Sequence, residues 1–107
     1  DLFGANIEFI VDSIRAINPD CDIVLVATVV PNPLSPQDAS QAAYLPVLKE
    51  LAGLYNAAAV VDMTTVSQEL FKVKRGVDVY ANNINHPSDF LQRLYVTNIM
   101  SALVKDY

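Results

Sequence analysis

Ile23-Val24-Leu25-Val26-Ala27-Thr28-Val29-Val30 is apolar apart from one threonine and rich in β-branched side chains, and Pro31-Asn32-Pro33-Leu34-Ser35-Pro36 follows at once. A strand with one wet face alternates apolar and polar residues. A continuous run is what a strand covered on both faces of a parallel sheet requires. The prolines that follow lack ladder donors and bias the residues before them toward extended conformations, so a rigid loop must leave the strand's C-terminal end. The run therefore predicts a central or near-central strand of an α/β protein.

The flanking segments agree. From Leu2 to Asn18 the residues Phe3, Ile7, Ile10, Val11, Ile14 and Ile17 recur at helical steps until Pro19, which predicts an amphipathic helix with one buried face. A second helix is expected from about Gln37 to Tyr55, with Pro46 marking either a kink or a start. Ala57 to Met63 reads as a short buried strand, so strand, loop, helix and strand form a right-handed parallel βαβ unit. A short helix from Thr65 to Lys72, a breaker at Gly76, a polar loop from Asp78 to Pro87 and a final helix from Ser88 to Lys105 complete the chain. Ser88 or Asp89 is the expected N-cap of that helix. Two parallel strands with about four helices look like half of a doubly wound sheet, because such a sheet leaves both edges open. Either upstream strands or a second copy of the chain is expected to complete it.

With 107 residues, 52% of them hydrophobic, and a net charge of −5, the chain has material for one globular core and no second domain. Seven basic residues against twelve acidic ones form no basic stripe, which argues against nucleic acid. Cys21 is the lone cysteine and His86 the lone histidine, so neither an internal disulfide nor a metal cluster is expected. No apolar run approaches the roughly 20 residues of a membrane-spanning helix. The chain opens at Asp1 without an initiator Met or a signal pattern, so its natural start is expected upstream and its compartment cannot be read.

The polar stretch Asp78-Val-Tyr-Ala-Asn-Asn-Ile-Asn-His-Pro-Ser-Asp89 holds that histidine just before the last helix. A lone loop histidine is most often an ordinary surface or hydrogen-bonded residue. Its place matters, however, since ligands of open α/β sheets bind beyond the carboxyl ends of the strands.

His86-Pro87-Ser88-Asp89 running into a helix, a strand ending Val60-Val61-Asp62, and an Ile14-Arg15-x-x-Asn18-Pro19 helix end before an apolar strand together resemble the C-terminal half of SGNH/GDSL hydrolases. The similarity covers essentially the whole chain, though its sharpest motif is short. It implies a flavodoxin-like sheet and an ester hydrolase, of esterase or lipase type, acting without a cofactor or metal on acetyl or short acyl esters of carbohydrate or lipid. The chain is then a C-terminal fragment of a single domain, residues 1–107. Its partner is the missing N-terminal half, or another copy meeting it through an exposed strand edge.

On this resemblance His86 is the catalytic histidine, which takes the proton of a serine and passes it to the leaving group. The family's acid lies three residues earlier, and here that residue is Asn83. An asparagine can orient an imidazole but cannot stabilise its charge, so Asn83 is expected as a neutral orienter, with a backbone carbonyl, Asp78 or Asp62 as alternatives. Asn85 and Asn32 are the candidate substrate contacts. Asp62 and Asp89 also have plain readings, as strand-end hydrogen bonding and helix capping. No Gly-Asp-Ser or Gly-x-Asn-Asp block occurs, so the nucleophile and oxyanion residues are expected outside this chain. The rival reading is a non-catalytic flavodoxin-like interaction or assembly module. The five tyrosines are spread without the basic interleaving of a base-stacking surface and read as core or rim.

Overall fold

The computed structural model describes residues 2–36, 39–57 and 59–104. It is a mixed α/β structure with helices α1 (Leu2–Ile17), α2 (Tyr44–Leu54), α3 (Met63–Leu70), α4 (Gly76–Val79) and α5 (Asp89–Leu103) around strands β1 (Val24–Ala27) and β2 (Ala59–Asp62). The strands pair in parallel, from Val24 opposite Ala59 to Ala27 opposite Asp62. Among the described residues each strand has no other neighbour.

The core follows from strand alternation. Val24 and Val26 of β1 and Val61 of β2 point to one face, where they meet Val29, Met63, Val79, Tyr80 and Leu91. α5 closes this cluster, and fully burying a side chain such as Leu91 contributes about 1.5–3 kcal/mol. α2 lies against both strands, and its buried Leu48 and Leu51 stand apart from the α5 cluster and cover the opposite face. Arg15 ties α1 to the end of α2 by donating to the carbonyls of Tyr55 and Asn56.

The apolar run is strand for only half its length. β1 stops at Ala27, and Thr28, Val29 and Val30 leave the ladder because side chains replace it. Thr64 Oγ1 donates to the Thr28 carbonyl at 2.7 Å, and the Val29 N–H donates to the Tyr95 hydroxyl at 3.0 Å. The Val30 N–H donates to Ser67 Oγ at 3.0 Å, and the Tyr80 hydroxyl donates to the Val30 carbonyl. A buried backbone must be partnered, and here α3, α5 and the turn after α4 do what a second neighbouring strand would do.

Other boundaries also move. A 3₁₀ turn, Ala39–Ala43, precedes α2, and Pro46 lies in the first turn of α2, where its missing N–H costs nothing. Pro46 therefore marks a start and not a kink. Expected helical positions Gln37, Asp38 and Lys105, strand position Ala58 and the rim residue Tyr107 lie outside the described residues. Gly76 opens the single turn α4 where a breaker was expected. α1 buries only Gly4 and Val11, leaving Ile10, Ile14 and Ile17 of its expected buried face exposed, because α2 is its principal packing partner.

Candidate functional site

The segment leaving β1 and the loop between α4 and α5 meet beyond the strand's carboxyl end. Asn32 makes the junction. Its N–H donates to the Ile84 carbonyl at 2.7 Å. Its Nδ2 donates to the Asn83 carbonyl at 2.9 Å and to Asn83 Oδ1 at 3.1 Å, while its Oδ1 accepts from the Leu34 N–H at 3.0 Å. Asn32 is 5% exposed, so a buried amide has both donor hydrogens and one acceptor lone pair engaged within the protein. Asn83 meets it from a left-handed backbone, φ 58°, which asparagine tolerates better than most residues.

Gly76 completes the junction by having no side chain. A Cβ there would lie 2.1 Å from Asn32 Nδ2 and 2.6 Å from Asn83 Oδ1. An open cleft of about 550 Å³ borders these residues, lined among others by Asn32, Ser35, Pro36, Gly76, Asn83 and Ile84. Its lining stops short of His86.

His86 lies on the same loop, three residues after Asn83. Tyr80 and Pro87 form an isolated antiparallel bridge, and the Ser88 N–H donates to the Val79 carbonyl at 2.9 Å, closing the loop at its base. Inside it the Ala81 N–H donates to the His86 carbonyl at 2.8 Å, and the His86 N–H donates to Asn82 Oδ1 at 2.9 Å. The backbone of His86 is thus held at both polar groups. Its side chain is exposed, and among the described residues no side chain or carbonyl hydrogen-bonds the imidazole.

The four candidate asparagine and histidine residues are brought into one loop cluster, but not into a relay. Asn83 turns its amide to Asn32 instead of the imidazole. Asn85 is exposed and accepts from Asn82 Nδ2 at 3.1 Å. The two possible acids face elsewhere. Asp62 caps α3, accepting from the Thr65 N–H and hydroxyl at 2.8 Å each and pairing with Lys49 at 3.2 Å. Partial burial pushes its carboxyl up, but these hydrogen bonds and the ammonium outweigh it and hold it below the usual range. Asp78 is held low by hydrogen bonds from the Arg75 side chain and backbone. Ser88, with Asp89 in the first turn, caps α5 by accepting from the Leu91 N–H at 3.4 Å.

Serine hydroxyls lead to the same conclusion. Ser13 and Ser101 donate to carbonyls one helical turn back, and buried Ser67 is engaged by Val30 and Thr64. Among the described residues no cluster of three or more His, Cys, Asp or Glu could hold a metal ion, and no helix is long and apolar enough to cross a membrane. Two residues that order the site, Asn82 and Tyr80, were not singled out by the sequence. The signal for Asn82 was the Asn-rich turn composition, since asparagine side chains cap nearby backbone N–H groups. Comparisons with protein-family models, curated proteins and solved structures find no match.

Proposed function

We propose that this chain is the histidine-bearing part of an SGNH/GDSL-like ester hydrolase built on a flavodoxin-like, doubly wound sheet. One observation carries the reading. His86 has a fixed backbone and an exposed imidazole without a hydrogen-bond partner among the described residues, on a loop joined through Asn32 to the segment leaving the carboxyl end of β1. Open α/β sheets place their chemistry at that end.

In this reading a serine from a segment outside these residues approaches the imidazole. His86 takes the hydroxyl proton as the serine oxygen attacks the ester carbonyl, then delivers that proton to the departing alkoxide. Because Asn83 is engaged by Asn32, and Asp62 and Asp78 by their own partners, the second ring nitrogen is oriented by a group on the serine-bearing segment or works unassisted. The substrate class is an acetyl or short acyl ester of carbohydrate or lipid. The cleft beside Asn32 offers amide and apolar surface for the leaving group.

The commitment of Asn83 to Asn32 favours a second reading, a flavodoxin-like interaction or assembly module without catalysis. Hydrolysis of p-nitrophenyl acetate by the full native polypeptide separates the two. Loss of at least about a hundredfold in His86→Ala supports the hydrolase. Equal rates with and without His86 leave the module standing. Because His86 is exposed, this substitution should change stability by less than about 0.5 kcal/mol, so lost activity is not lost folding.

A further inference from the structure

Three backbone N–H groups converge on a single oxygen beside His86. Asn82 Oδ1 accepts from the N–H of Ile84 at 3.0 Å, of Asn85 at 2.9 Å and of His86 at 2.9 Å. Its Nδ2 donates to Asn85 Oδ1 at 3.1 Å. Successive N–H groups pointing into one concavity form a nest, a geometry that favours an anion or a strong acceptor at its centre. Here the chain supplies the acceptor itself.

The convergence has a direct effect on the histidine. The Asn82 amide fixes the three residues that end at His86, and the Ala81 N–H holds the His86 carbonyl from the other side. The imidazole has no hydrogen bond of its own among the described residues, so what is held is its anchor, the Cα–Cβ bond set by the backbone beneath it. Asn83, which stands at the spacing expected of an orienting residue, faces away from the imidazole toward Asn32. Asn82, one position earlier, acts on the main chain of the histidine.

We infer that Asn82 is the positioning residue of His86, holding the 84–86 backbone so that the imidazole projects from one fixed place. This rests on the hydrolase reading for its purpose but not for its physics. An aspartate in the same seat keeps the acceptor and adds the charge that a nest favours, so Asn82→Asp is the conservative exchange. Asn82→Ala leaves three N–H groups without their acceptor.

The test is NMR on the isotopically labelled native polypeptide, comparing the natural sequence with Asn82→Ala and Asn82→Asp. In Asn82→Ala, amide exchange at residues 84, 85 and 86 should accelerate by about tenfold, the scale of one lost hydrogen bond, while the amides of Val30 and Leu91 keep their protection. The residual dipolar coupling of the His86 Cα–Cβ bond should shrink as that bond loses its fixed direction. Both changes should revert in Asn82→Asp. Unchanged exchange at 84–86, or a His86 Cα–Cβ dipolar coupling that is the same in all three proteins, overturns the assignment. So does a loss of protection that extends to the core, which makes Asn82 a general contributor to folding. None of these readouts depends on ester hydrolysis, so an inactive protein with the predicted exchange pattern would sink the hydrolase reading alone.

Discussion

The hydroxyl of Tyr80 donates to the carbonyl of Val30, linking the base of the histidine loop to the end of the segment that leaves β1. Both residues are buried, at 1% and 7% exposure, so water cannot replace either partner. Tyr80→Phe keeps the ring and strands the carbonyl. We expect a loss of about 1–3 kcal/mol in urea unfolding, the cost of an unsatisfied buried acceptor. Burial also pushes the Tyr80 phenol up to about 12, with the Tyr95 phenol beside it adding to the rise. The folded form therefore retains its proton where the unfolded chain has lost it. The corresponding stability is complete below about pH 10 and drains away as pH rises toward 12. An ultraviolet titration should show Tyr80 ionising late, or only as the protein unfolds.

Gly76→Ala sets a methyl group against Asn32 and Asn83, at separations no real Cβ tolerates. Overpacking of this kind costs about 1–3 kcal/mol. The residue that must yield is Asn32, so combining Gly76→Ala with Asn32→Ala should be less destabilising than the sum of the two. An additive double mutant would show that Asn32 is not what the glycine accommodates.

Acid should weaken the β2–α3 corner. Asp62 is held below its ordinary 3.8, so its contribution is present above that value and lost as pH falls through the lower folded one. Asp62→Ala removes the cap of α3 and should cost about 1 kcal/mol near neutrality. That cost should shrink as pH falls below 3.8 and through the lower folded value, which a series of urea transitions from neutral to acid pH would reveal.

Among the described residues the outer edges of β1 and β2 have no strand neighbour and α1 has a bare stretch, with Phe9 72% and Ile17 89% exposed, which predicts self-association of the 107-residue chain on its own. Light scattering should show species larger than a monomer, reduced by Phe9→Glu. A monodisperse monomer at high concentration would contradict this expectation.

The parallel pairing was legible because continuous β-branched runs and an intervening helical pattern have few alternatives. The early end of β1 was not. Nothing in Thr28-Val29-Val30 distinguishes ladder partners from the distant hydroxyls of Thr64, Ser67, Tyr80 and Tyr95 that replace them. Helical spacing revealed the apolar stripe of α1, but not that so little of the described chain covers it. In the loop, spacing from His86 singled out Asn83, whereas the hydrogen bonds follow a left-handed turn that aims Asn83 at Asn32 and leaves Asn82 under the histidine. Sequence separation could not register that reversal.

The anchoring of the histidine loop by α5 also sets an order of events during synthesis. Leu91 and Tyr95 reach the core and the Val29 N–H only from the helix that follows the loop. A nascent chain can therefore have His86 already joined to it while Val29 and the core cluster still lack these partners. At roughly 5–20 residues per second, translating the 15 residues of α5 takes on the order of one to three seconds. During that interval the apolar end of the β1 segment is open to chaperones, and to a neighbouring nascent chain on the same message.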